Sequence, residues 1–134
     1  MSAIRKLCVF GGNGFVGQAI VKYALAAFPD LQVIGISRSG VKDTMHDLDS
    51  SNARLQWMKG DIAALMNDDA STAGSETPNA VAQEWMKEID STTGVISCVG
   101  MFATSNDVMR QMNGDANRAL IETVKNAGAA HMVY

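Results

Sequence analysis

The chain predicts an α/β fold, a doubly wound parallel sheet with helices on both faces. Three observations carry this. Short, continuously apolar runs recur along the 134 residues, each closed by glycine or a polar turn, which is the pattern of strands buried on both faces. Between them lie segments whose apolar residues repeat at helical spacing. Strand and helix alternate throughout, and right-handed crossovers turn that alternation into a parallel sheet wound in both directions.

The elements follow in order. Lys6-Leu7-Cys8-Val9-Phe10 reads as a buried strand stopped by Gly11-Gly12-Asn13-Gly14. From Phe15 to Phe28 the period becomes helical, with Val16, Ile20, Ala24 and Ala27 on one face and Pro29-Asp30 as the stop. Gln32 to Ile36 is the second strand, closed by Ser37-Arg38-Ser39-Gly40, and Leu55 to Lys59 is the third, ending at Gly60-Asp61. The polar tract from Asn67 to Asn79 is expected to be a surface loop, and Val81 to Ile89 a helix. Gly94 to Gly100 is the fourth strand. Val108 to Met112 and Ala116 to Ala127 form a further helical region, with Gly128 placed to end it. Ala130 to Tyr134 begins a fifth strand.

Composition bounds the function. Hydrophobic residues at 47% and charged residues at 19% are ordinary for one globular domain. A formal charge of -3 gives no electrostatic reason to expect nucleic acid or an anionic membrane as partner. No apolar run approaches the roughly 20 residues of a membrane-spanning helix, and Met1 to Lys6 does not open a signal peptide. Cys8 and Cys98 read as free, buried thiols. His46 and His131 belong to no ligand cluster, and Asp68, Asp69 and Glu76 read as solvated loop carboxylates, so no metal site is expected. Trp57, Trp85 and the nine methionines read as packing residues.

The most informative segment is Gly11-Gly12-Asn13-Gly14-Phe15-Val16-Gly17. It follows a strand and opens an amphipathic helix, the context in which spaced glycines form a phosphate cradle. Glycine permits the tight turn and lets the backbone approach a pyrophosphate, while the helix N-terminus supplies free N–H groups and the positive end of its dipole. The second landmark lies after the second strand. An acidic residue there would bind the ribose hydroxyls of NAD(H), but this chain has Ser37-Arg38-Ser39. Arg38 suits a 2′-phosphate, with hydroxyl contacts from Ser37 and Ser39, so NADP(H) is favoured and NAD(H) is the alternative.

On these residues the chain resembles the short-chain dehydrogenase/reductase superfamily with its Rossmann fold, and more narrowly the extended and atypical branch. Gly11, Gly14 and Gly17 match its Gly-x-x-Gly-x-x-Gly loop, with Phe15 after the middle glycine. Lys59-Gly60-Asp61-Ile62 is similar to the family's segment after the third strand, which implies that Asp61 and Ile62 meet the adenine. Val95 to Gly100 is similar to its fourth strand, which implies that Cys98, Val99 and Gly100 lie beside the cofactor. Met112 to Asn117 resembles a helix segment in which Asn113 takes the place of a structural asparagine. The nearest resemblance is to organellar atypical members: a chloroplast group, the Rossmann-type accessory subunit of mitochondrial complex I and a fungal protein linked to coenzyme Q synthesis. It implies an organellar location, chloroplast or mitochondrion, with the cytoplasm as the alternative, and either the cofactor-binding part of an oxidoreductase or a non-catalytic nucleotide-binding subunit among other subunits of a larger complex.

The family's reductases use a Tyr-x-x-x-Lys pair for proton transfer. Here Tyr23 is followed four residues on by Ala27, and Tyr134 is the last residue, so no catalytic residue is assigned. The expectation is one dinucleotide-binding domain over residues 1–134, incomplete at its C-terminal side.

Overall fold

The computed structural model describes residues 3–40, 52–67, 83–100 and 105–134. Five strands form one parallel sheet: β1 (Lys6–Phe10), β2 (Gln32–Ser37), β3 (Leu55–Lys59), β4 (Thr93–Ser97) and β5 (His131–Val133). Their order is β3-β2-β1-β4-β5. The chain therefore runs outward from β1 on one side and then returns to build on the other. That reversal is the switch point of a doubly wound Rossmann-type sheet, where the carboxyl ends of two neighbouring strands diverge into a crevice.

The apolar runs have two buried faces, and alternation assigns them. Val9 and Val33 pack with Leu55 against Val21 and Ala24 of α1 (Phe15–Ala27). Cys8, Phe10, Ile34, Ile36 and Val95 point the other way, into a larger core with Trp85, Leu120 and Val124. Burying each of the Val, Leu, Ile and Phe side chains favours folding by about 1.5–3 kcal/mol, before chain entropy is counted.

The C-terminal turn of α1 is held from outside the helix. The Arg54 guanidinium donates to the carbonyls of Leu25 and Phe28, both at 2.8 Å, and of Leu31 at 3.2 Å. A cation at the negative end of the helix thereby satisfies carbonyls that lack helical partners and ties α1 to the entry of β3.

Several elements differ from expectation. β4 stops at Ser97 because β1, its ladder partner, stops at Phe10, so Cys98 to Gly100 form an exit segment. Of the helix expected over Val81 to Ile89, Val81 and Ala82 lie outside the described residues. The remainder is a 3-10 helix at Glu84–Glu88, preceded by Gln83 in an extended conformation. A second 3-10 helix, Ile62–Asn67, was not expected. The last helical region is continuous: α2 (Asn106–Met109) passes through a π-helical turn (Arg110–Asp115) into α3 (Ala116–Asn126). Gly128 ends it as expected, with φ +89°. Most of the polar tract from Asn67 to Asn79, together with His46, Asp68, Asp69 and Glu76, lies outside the described residues. Among those described, no helix is long and apolar enough to cross a membrane.

Candidate functional site

A cleft of about 260 Å³ opens at the switch point, over the carboxyl ends of the strands. Its first wall is the turn after β1. Gly11 takes φ +76°, a left-handed conformation that a side chain would strain. Its N–H donates to Ile36 O at 2.8 Å, which ties the turn to β2. Gly14 N–H then donates back to Gly11 O at 3.0 Å. Gly17 lies directly against this turn. A Cβ there would overlap the Gly11 carbonyl oxygen and come within 2.7 Å of its carbon and 2.8 Å of Gly12 Cα. Gly17 thus lets α1 start against the loop, and Gly12 is buried beneath it.

The start of α1 is open in an electrostatic sense. Gly14 is its N-cap, no side chain caps it, and its first turn holds no acidic residue. The N–H groups of that turn and the positive pole of a 13-residue helix are left for an incoming anion.

The other walls come from β2, β3 and β4. Ser37, Arg38, Asp61, Ile62, Cys98, Val99 and Gly100 line the cleft together with Gly11, Asn13 and Gly14. Arg38 is exposed. The Ser37 hydroxyl is spoken for, since it donates to Gly40 O at 2.8 Å and closes the turn after β2. Ser39 stands outside the lining but accepts from Asn13 Nδ2 at 3.4 Å, a link between the two turns. Gly12 and Gly17 support the turn from below, and the Phe15 and Val16 side chains point to solvent, with Phe15 97% exposed. Cys98 is only partly buried, against the expectation of a buried thiol, and that burial raises its pKa from the ordinary thiol value.

Phe10, Ile36, Gly60 and Met112 also line the cleft and were not singled out from sequence, because apolar strand ends read as core. Gln83 was missed as well. Its side chain grips the Asp61 peptide on both sides, accepting from Asp61 N–H and donating to Asp61 O, each at 2.8 Å. A faint signal existed: buried Trp85 needs an acceptor for its indole N–H, and a glutamine stands two residues before it. Asn113, which the resemblance puts in the place of a structural asparagine, is exposed and lies close to Gly100. Asn117, one helical turn on, is 2% exposed and bonds Ser97, Val99 and Asn113.

No protein-family model matches the chain. It is 29% identical over 129 residues to an uncharacterized chloroplastic protein of Arabidopsis thaliana, a match covering 96% of this chain and 36% of that protein. It is 39% identical over 61 residues to MIOREX complex component 2 of Saccharomyces cerevisiae, covering 44% of this chain and 21% of that one. Among solved structures it is similar to PbgP3 of Burkholderia pseudomallei, with TM-score 0.65 and 20% identity over 98% of this chain and 34% of that chain. A short chain dehydrogenase of Leptospira borgpetersenii with bound NAD+ matches with TM-score 0.61 and 15% identity, over 93% of this chain and 46% of that one. The enzyme WbmH of Bordetella bronchiseptica, in complex with NAD+, matches with TM-score 0.59 and 19% identity, over 98% and 38%. These likenesses establish the fold. The chain spans about a third of the length of the Arabidopsis protein and PbgP3.

Proposed function

We propose that this chain is the cofactor-binding part of an oxidoreductase of the atypical short-chain dehydrogenase/reductase type, and that its cleft takes NADP(H). The observation that carries the reading is the glycine turn beneath an uncapped helix N-terminus at the strand switch, with an arginine and no carboxylate at the end of β2. Two of the structural neighbours are described with NAD+ bound, which supports a dinucleotide as the class of ligand.

The residues fit such a group. Backbone N–H groups from Phe15 to Gly17 would hold the pyrophosphate, where Gly17 keeps the helix start close and no Cβ intrudes. Arg38 would pair with the 2′-phosphate, and Asn13 and Ser39 would brace the turns around it. Asp61 and Ile62 would flank the base. Cys98, Val99 and Gly100 would border the nicotinamide riboside. When bound, the nicotinamide supplies hydride transfer. The chloroplastic relative supports an organellar location.

A second reading is a nucleotide-binding accessory subunit without turnover, in which the dinucleotide stabilises the fold by binding only the native state. The likeness to a component of the MIOREX complex favours it. Nucleotide that stays bound unchanged while the protein sediments in a large assembly would distinguish this reading from the first.

The binding test is a titration of the chain with NADPH and NADH at matched ionic strength. NADPH should bind about tenfold or more tightly than NADH, since a charge-assisted pair contributes about 1.5–3 kcal/mol. Arg38→Ala should bring the ratio near one. Tighter binding of NADH, or an unchanged ratio in the variant, would overturn the NADP(H) assignment.

A further inference from the structure

We propose that Gln83 is a positioning residue for the nucleotide base: its amide fixes the Asp61 peptide, and with it the cleft wall at the exit of β3. The proposal rests on the dinucleotide reading above. With pyrophosphate at the start of α1 and the ribose at the end of β2 beside Arg38, the next strand outward is β3. Its exit residues Gly60, Asp61 and Ile62 line that end of the cleft.

The sheet does not hold these residues itself. The β2–β3 ladder ends at Ser37 and Lys59, with one more bond from Gly60 N–H to Ser37 O at 2.9 Å. Beyond it the Asp61 peptide has no neighbouring strand, and the Gln83 side chain takes that place. Oε1 accepts from Asp61 N–H and Nε2 donates to Asp61 O, a two-point grip across 22 positions of sequence. The Asp61 carboxylate in turn accepts from Ala63 N–H at 3.0 Å and starts the 3-10 helix that carries Ile62.

Gln83 is itself locked. Its Oε1 also accepts from Trp85 Nε1 at 2.7 Å. Trp85 is fully buried and meets Phe10 edge to face, with centroids 4.7 Å apart and planes at 85°. Phe10 lines the cleft floor. Core, latch and wall form one connected unit, joined through the Gln83 side chain. A glutamine amide suits this task because it presents a donor and an acceptor side by side, matching the peptide it grips.

The test compares the unsubstituted chain with Gln83→Ala and Gln83→Glu, using NADPH and inorganic pyrophosphate as separate probes, the latter by competition. Pyrophosphate reads the glycine turn alone, and NADPH reads the turn and the base wall together. Gln83→Ala should weaken NADPH about tenfold and leave pyrophosphate within about twofold. Gln83→Glu keeps both acceptor bonds but turns an acceptor oxygen toward Asp61 O in place of the donor, so it too should weaken NADPH and spare pyrophosphate. It carries the test if the alanine variant does not fold. Equal weakening of both probes would make Gln83 a general structural residue and overturn the proposal, as would unchanged NADPH affinity in a folded variant. If the unsubstituted chain binds neither probe, the dinucleotide reading fails first and the positioning role falls with it.

Discussion

Ser97, the last residue of β4, donates its hydroxyl to Asn117 on α3, and both side chains are buried. Asn117 passes the connection on, donating from Nδ2 to Val99 O at 3.0 Å and Asn113 O at 3.1 Å. The exit of β4, which lines the cleft, is thus anchored to the π turn and the helix behind it. Asn117→Ala would strand the Ser97 hydroxyl and take a donor from two carbonyls, a loss of about 1–3 kcal/mol. Urea unfolding monitored by circular dichroism should show it as a lower midpoint with an unchanged slope. An unchanged midpoint would mean that water replaces the network at no cost.

Gly17→Ala should be costly for a different reason. The new Cβ would meet backbone, the Gly11 carbonyl and Gly12 Cα, and not the movable end of a side chain. The start of α1 must then lift from the turn, with a loss of about 2 kcal/mol or more. The variant should also lose most of its thermal shift with NADPH, because the shift grows with occupancy of the native state. A folded Gly17→Ala with the full shift would show that close approach of helix and turn is not needed.

Alkaline stability should depend on Cys8. Burial pushes its thiol from 9.0 to about 12, against a smaller opposing pull from Lys6. The unfolded chain therefore releases this proton near pH 9 while the folded chain keeps it. The associated stability is fully present below pH 9 and is lost as pH rises through that window toward 12. Comparing unfolding free energies at about pH 9 and pH 10.5, Cys8→Ala should start lower but decline less steeply, by up to about 1.4 kcal/mol per pH unit. Parallel slopes for the two proteins would contradict this.

The sheet was legible because its signals are local and repeated. Val9 and Phe10 sit in an apolar run, glycines stop it, and a helical period follows, although the helix buries Gly17, Val21 and Ala24 while Val16 and Ala27 of the expected face are exposed. The glycine turn could be placed on the same grounds, as could Gly128 at the end of α3. What could not be read depends on contacts distant in sequence or on elements too short to show a period. Ile62–Asn67 and Glu84–Glu88 are each little more than a turn or two. Asn117, buried just after the π turn at Arg110–Asp115 and bonded to Ser97, leaves no mark in the residue pattern. Gln83 serves the cleft without lining it, through bonds to a peptide 22 residues away. Ser37 looked like a ligand hydroxyl, but a bond to Gly40 three residues on uses its proton locally.

Amide NMR during titration with NADPH reads directly whether the cleft at the strand switch holds a dinucleotide. Binding there should give saturable shifts of the amides from Gly11 to Gly17, of Arg38 and of Cys98 to Gly100, with those of β5 and the far end of α3 unmoved. A folded chain whose glycine-turn amides stay in place at saturating NADPH, or whose shifts fall elsewhere on the surface, would contradict it.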